Sequence, residues 1–430
     1  MNENRWRLVS RLICFLGCAI ACIAMGLLHA SAWGAGGTAS NSVPTVLTTL
    51  GFKFNGSPTC SSEKCHGADK ATERPDFWGN EYTLWHGRLD PHHLAYRTLI
   101  SAKSKEMAAK LRIGPANKSE RCLHCHSTVA AGPTGQDLQG RDYSSAEGVS
   151  CDACHGPSEK YLEPHAQQGW IARQRTAMSY ADLLKSTGLY DTKPVIARAE
   201  RCTGCHLTTD ADLVAAGHPQ PVFELYHFSQ SYPDRHWRDA GGAFASQVWL
   251  DGQVIELREV VLRLARLSAA APVAPAELKR SFDRAAAHYS VLQAVLSKTA
   301  GAGPELASLK SDFTKLAAAV SGGDTATFAG LAAAVAQDAD RLQPVVAKIS
   351  LDASTAASLL PALADLPIAA DLGEEGAQQQ GYAIEVLAKI AGAPAITAAL
   401  APFVAKKPSE PPTPSEFAKV LQDVRSKIPK

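Results

Sequence analysis

Four cysteine–histidine clusters between residues 60 and 206 constrain this 430-residue chain more than any other feature of its sequence. Three of them, residues 122–126, 151–155 and 202–206, consist of two cysteines separated by two residues and followed at once by a histidine. With this spacing both thiols reach the edge of one porphyrin, and the adjacent histidine points under the ring. The pattern therefore predicts covalently attached haem c, with the thiols forming thioethers and the histidine ligating the iron.

The fourth cluster comes first in the chain and has four residues, rather than two, between its cysteines. It keeps the terminal Cys-His pair, and we interpret it as a longer variant of the same motif. The sequence thus predicts four haem c groups. The predicted attachment cysteines are Cys60, Cys65, Cys122, Cys125, Cys151, Cys154, Cys202 and Cys205, and the predicted proximal iron ligands are His66, His126, His155 and His206.

Paired cysteines also occur in zinc ribbons and in disulfides, which are the alternative interpretations. A zinc ribbon explains the cysteine pairs but not a histidine directly after every second cysteine. Three copies of one five-residue pattern between residues 122 and 206 are also too many to arise by chance from 11 cysteines and 14 histidines. These observations favour haem c.

The N-terminus has the layout of a secretory signal peptide. Three arginines precede an apolar run over residues 12–28, and Ala30-Ser31-Ala32 is a plausible cleavage site. We predict a signal peptide over residues 1–32 and an exported, periplasmic protein; an uncleaved membrane anchor is the alternative. Export agrees with the haem motifs, because bacteria attach haem c outside the cytoplasm. No later segment is apolar enough to span a membrane.

Composition divides the rest of the chain. Residues 33–44 are small and polar and predict a linker, and residues 45–241 form the predicted tetrahaem region. Residues 242–405 contain no cysteine and show apolar residues at helical spacing, which predicts an all-α bundle. Residues 406–430 predict a Pro-rich linker and a terminal helix. The fold class is therefore mainly α: short helices and loops wrapped round four haems, followed by a helical bundle.

One helix of the haem region can be placed, because Asp90 is a good N-cap and proline follows it. We predict a helix over residues 91–111.

A net charge of +1 gives no indication of a nucleic-acid partner.

Histidines between the motifs are candidates for the second axial position of each iron. His92 lies on the predicted helix with apolar residues one and two turns along, and His165 follows the third motif closely. His218 is flanked by glycine and proline, which allow close approach. We predict these three as distal ligands and His236 as a further possibility.

The order of these elements resembles the tetrahaem cytochrome c-554 family, which is related to hydroxylamine oxidoreductase and the pentahaem nitrite reductase. The resemblance rests on residues 60–66, 92–99, 122–126, 148–156, 202–206 and on His165. It implies near-parallel and near-perpendicular haem pairs, mostly with two histidine ligands.

The resemblance also implies a partner for each histidine. His165 would serve the haem of the first motif, His92 that of the fourth and His218 that of the third. The haem of the second motif would be open on its distal side, unless His236 closes it. Residues 282–288 resemble a further haem motif that has lost its cysteines but keeps His288; an ordinary helix is the alternative.

These features favour an electron relay that passes charge between redox protein partners. The alternative is a redox enzyme acting on a small nitrogen or sulfur species at a haem with an open distal site, so enzymatic activity is left undecided. The helical tail is a candidate for docking a partner or for oligomerisation.

Overall fold

Helices are the main regular elements in the part of the chain that the computed structural model describes, which comprises residues 47–72, 78–207, 209–231, 236–237, 243–270, 275–299, 301–404, 406 and 412–428. Within these residues β-pairing is limited to isolated bridges, Phe54 with Gln139 and Ala131 with Asp137. The predicted mainly α fold is confirmed. The predicted signal peptide and the linker that follows it lie outside the described residues. Among the helices described, none is both long and apolar enough to cross a membrane.

Helices of the haem region are short. They are α1 (Glu81–Leu84), α2 (Pro91–Thr98), α3 (Ala102–Leu111), α4 (Glu120–His126), α5 (Cys151–His155), α6 (Leu162–His165), α7 (Trp170–Ala177), α8 (Tyr180–Thr187), α9 (Val195–His206), α10 (Ala211–Ala216) and α11 (Leu225–Ser231). Helix α1 continues into a π-helical turn, Trp85–Leu89, and short 3₁₀ turns precede the first, second and third motifs.

The predicted helix over residues 91–111 is two helices rather than one. Asp90 caps α2 as expected, with its carboxylate accepting the His92 backbone N–H at 2.9 Å. Ser101 then caps α3 in the same way by accepting the N–H of Ser104, whose hydroxyl donates to the Thr98 carbonyl. A serine N-cap inside the stretch therefore ends one helix and starts the next, and it produces a corner.

Long helices make up the C-terminal half. They are α12 (Ala243–Ala270), α13 (Pro275–Leu296), α14 (Gly303–Gly322), α15 (Thr325–Val346), α16 (Ala353–Ala364), α17 (Ile368–Asp371), α18 (Gly373–Ile390), α19 (Pro394–Val404) and α20 (Pro414–Lys427). The 28-residue α12 is central: Trp249, Leu257 and Leu264 are fully buried on it, and it packs against α13, α15 and α18.

The bundle has a peptide core, whereas the haem region has only small apolar clusters of its own. Three such clusters centre on Phe54, Leu99 and Trp170. The large core of the bundle extends into the haem region through α9 and the segment before α11, where Val195 and Phe223 belong to it. The predicted boundary at residue 241 stays a prediction, and apolar packing crosses it.

Candidate haem sites

Three of the four cysteine–histidine motifs lie at the C-terminal end of a helix, and the first motif follows a 3₁₀ turn. The second, third and fourth motifs end α4, α5 and α9, and the 3₁₀ turn Ser57–Cys60 ends at the first cysteine of the first motif. On a helix, residues three and four apart share a face. The two cysteines and the histidine of each short motif therefore project to the same side.

Each proximal histidine faces a second histidine from another part of the chain. The ring centroids are 6.2 Å apart for His66 and His165, 6.1 Å for His126 and His218, 6.3 Å for His155 and His236, and 5.7 Å for His206 and His92. An imidazole nitrogen lies about 2 Å from a metal that it ligates, so two rings on opposite faces of one iron have centroids roughly 6 Å apart. The four pairs fit a bis-histidine haem iron.

Hydrogen bonds at Nδ1 orient many of these rings. His126 donates from Nδ1 to the Ala95 carbonyl at 3.1 Å, and His218 to the Pro219 carbonyl at 2.7 Å. Nδ1 of His165 lies 2.5 Å from the Leu162 carbonyl. A proton held on Nδ1 leaves the lone pair on Nε2, which is then the nitrogen that would bind iron.

Carboxylates orient two further ligands. Nδ1 of His66 bonds to Glu81 at 2.9 Å, and Nδ1 of His92 bonds to Asp90 at 2.8 Å. Burial opposes charge on both rings, but the hydrogen bond and the charge of the carboxylate together raise the pKa of each histidine. A carboxylate–histidine–metal arrangement of this kind makes the imidazole a stronger donor.

Two proximal rings are buried without such a carboxylate. Burial lowers the pKa of His206 to about 3 and that of His155 to about 4. Both imidazoles are therefore neutral at physiological pH, which is the form that ligates a metal. Phe223 stacks on His206 with ring centroids 5.4 Å apart, so the start of the bundle forms a wall of the fourth site.

The structure differs from the expected partners of His218 and His236. The resemblance implies that His218 faces His155, but it faces His126, and His236 faces His155 instead. The reason lies in α10, which packs on α3: the Lys110 amino group reaches the Ala216 carbonyl at 3.5 Å. This packing carries the turn that holds His218 to the site formed by α2, α3 and α4. The second motif therefore has a histidine on its distal side.

The motifs are adjacent in pairs. The backbone N–H of Gly56, just before the first motif, donates to the Asp152 carboxylate of the third motif at 2.8 Å, and the Cys205 thiol of the fourth motif lies 3.8 Å from the His124 carbonyl of the second. The first motif therefore neighbours the third, and the second neighbours the fourth.

The remaining described histidines lie outside the four pairs. His86 and His93 pack together near Trp85, with the two imidazole centroids 5.0 Å apart. His227 bonds to Glu385 at 2.8 Å. His288 is fully buried on α13, where its Nδ1 bonds to Gln253 at 2.8 Å, so this residue has a structural role in the bundle.

Sequence reasoning missed the groups that orient the ligands. Asp90 was identified as a helix cap, but its second contact, with the His92 ring, was not. The signal was present, because a residue two positions after an N-cap lies within reach of the capping carboxylate. Glu81 and Phe223 gave no comparable signal, because each meets its histidine only through the folding of distant segments.

Cysteine pairs that are each followed directly by a histidine, with a second imidazole facing that histidine, are the arrangement typical of c-type cytochromes. Residues 59–156 match the family model described as cytochrome c554 and c-prime, and this stretch contains the first three motifs and His92. Over these residues the chain is similar to the c554-type multihaem cytochromes, and the resemblance noted in the sequence is confirmed there. It implies covalently bound haem c and electron exchange with redox proteins. No curated protein and no solved structure gives a match.

Proposed function

We propose that the protein binds four haem c groups, each held between two histidines, and relays electrons between redox proteins in the periplasm. The observation that carries this proposal is the facing of every proximal histidine by a second imidazole at 5.7–6.3 Å. When bound, haem iron supplies reversible one-electron transfer.

The residues of the chain do three things in this function. The eight cysteines tether the cofactors, so that no haem is lost from the relay. The eight histidines would hold the irons, one pair to each, and would leave no place for a substrate there. The Nδ1 partners, such as Asp90 and the Ala95 carbonyl, fix the orientation of the rings, so ligation changes little between redox states.

An enzyme acting on a small nitrogen or sulfur species is the alternative, and it needs an iron with an open distal side. The resemblance assigned that role to the second motif. The position of His218, 6.1 Å from His126 between ring centroids, supports a relay there instead.

Mass spectrometry and spectroscopy test the proposal. The mass of the purified protein should equal that of the chain without residues 1–32 plus four haems, and pyridine haemochrome should give the same count. The ferric protein should be wholly low-spin and should bind neither cyanide nor nitric oxide. A high-spin fraction in the wild type, or a count other than four, would contradict the proposal.

Substitution of the distal histidines makes the test specific. His218→Ala should create one high-spin haem that binds cyanide, because one axial position is vacated. His86→Ala is the matched control: this histidine is exposed, lies outside the four pairs and should leave the spectrum unchanged. A low-spin spectrum in the His218→Ala variant would rule out His218 as a ligand.

A further inference from the structure

The corner between α2 and α3 presents an exposed apolar residue that is flanked in the chain by cations. Ile100 is 51% exposed and is the one large hydrophobic side chain with this exposure among the described residues. Arg97 lies three residues before it, and Lys103 and Lys105 follow in the first turn of α3; all three are exposed. These four residues are called the basic corner below.

The charge of this surface is local. Residues 97–118 contain six lysines and arginines and one glutamate, in a chain whose net charge is +1. Lys110 is neutralised by Glu106 at 2.8 Å. Within the described part of the chain, no carboxylate pairs with Arg97, Lys103 or Lys105, so their field extends into solvent.

Helix stability does not explain the two lysines. The N-terminus of a helix carries a partial positive charge, and acidic residues stabilise it while cations oppose it. The first turn of α3 has no acidic residue, and it carries Lys103 and Lys105 instead. Because these lysines act against their own helix, their charge points to a role outside the folding of α3.

The basic corner is next to a candidate iron ligand. The Thr98 hydroxyl lies 3.0 Å from Nδ1 of His126, the proximal histidine of the second motif, and Thr98 is two residues from Ile100. A partner that covers Ile100 would therefore be connected to His126 by two residues of backbone and the contact between Thr98 and the His126 ring. The surface around the first motif has no such bias, because Glu63, Lys64, Asp69 and Lys70 alternate there.

We propose that the basic corner is the docking face for an acidic redox protein, and that electrons enter or leave the relay through the second haem. The inference rests on the proposed function. It adds the place where electrons enter or leave the protein and the sign of the charge on the partner. Cations around an apolar centre steer an oppositely charged protein to the surface and let it exclude water once in contact.

Stopped-flow oxidation of the fully reduced protein tests whether electrons leave at the basic corner. Two small oxidants of opposite charge are used, ferricyanide and tris(phenanthroline)cobalt(III). At low ionic strength Lys103→Glu combined with Lys105→Glu should slow the reaction with ferricyanide about tenfold and speed that with the cobalt complex. Both effects should vanish at high ionic strength, because salt screens exposed charges.

The matched control is Lys298→Glu combined with Lys310→Glu, which changes the total charge equally at exposed positions in the bundle. It should alter the ferricyanide rate less than twofold. Equal effects in the two double variants, or no effect in either, would refute electron entry or exit at the basic corner. The proposed function would be untouched, because the wild type would still exchange electrons. A wild type that exchanges none would instead contradict the proposed function.

A membrane surface is the competing occupant of a basic patch. Vesicles of phosphatidylglycerol should not sediment the wild type more than the Lys103→Glu/Lys105→Glu variant. Binding that is lost in this variant, with unchanged ferricyanide rates, would assign the basic corner to lipid and refute the docking of a protein there.

Discussion

Glu224 lies where the haem region meets the bundle. Replacing it by glutamine should remove much of the pH dependence of the free energy of unfolding. Glu224 is fully buried before α11 and accepts the backbone N–H groups of Tyr226 at 2.9 Å and His227 at 2.7 Å. Buried Glu256 on α12, His227 and Glu385 on α18 are the ionisable groups that act on it. Glutamine keeps the size and can accept from one of the two N–H groups, because its amide nitrogen is only a donor, and it cannot ionise.

Burial raises the pKa of Glu224 from 4.5 to about 7. This rise corresponds to about 3 kcal/mol of preference for the protonated form in the folded protein. Because the folded state holds this proton more tightly than the unfolded state, stability is fully present below pH 4.5 and is lost as the pH rises through about 7. Burial also raises the pKa of Glu256, which adds to the loss at higher pH.

Urea unfolding followed by far-UV circular dichroism between pH 5 and pH 8 measures the effect. Over this range the wild type should lose about 2.5 kcal/mol more unfolding free energy than Glu224→Gln does, because the raised pKa of Glu224 contributes that difference between pH 5 and pH 8. Glu374→Gln is the control, since Glu374 is an exposed carboxylate on α18. Parallel pH profiles for the wild type and Glu224→Gln would refute the assignment of this proton to Glu224.

Two further substitutions test the local structure of the haem sites. Gly156→Ala should reduce occupancy of the third motif severalfold in a pyridine haemochrome assay, because a Cβ there would lie 2.1 Å from the Gly188 carbonyl oxygen. Gly114→Ala has a similar positive φ in open space and should cost only about 1 kcal/mol; equal haem content in both variants would contradict this reasoning. Asp90→Ala removes the carboxylate that bonds to His92, and it should raise the reduction potential of one haem in spectroelectrochemistry. Ser101→Ala is the control, because it removes a comparable helix cap, worth about 1 kcal/mol, and should leave the potential unchanged. Identical potentials in the two variants would show that Asp90 acts only as a cap.

Local sequence was a reliable guide wherever one short stretch determines the structure. The cap at Asp90 was predicted because capping depends on a few adjacent residues. The corner at Ser101 differs from the predicted single helix, because helical spacing of apolar residues continues on both sides of this serine cap.

The pairing of ligands could not be obtained in the same way. A histidine in a loop can reach any motif that the fold brings near, and sequence separation does not order the choices. His218 meets His126 because α10 packs on α3, which is a contact between segments about a hundred residues apart. Likewise, the stacking of Phe223 on His206 depends on the packing of the bundle, and no sequence motif predicts that packing.

Helix α9 has one side in the bundle and the other in the fourth site. Val195 and Ala199 belong to the large peptide core, while Cys202 and Cys205 lie on the last turns. A core made only of side chains can form before any cofactor arrives, so we expect the new polypeptide to fold from its C-terminal half. That half would then display the fourth pair of thiols at a fixed spacing to the attachment machinery, and maturation would proceed towards the N-terminus, against the direction of synthesis.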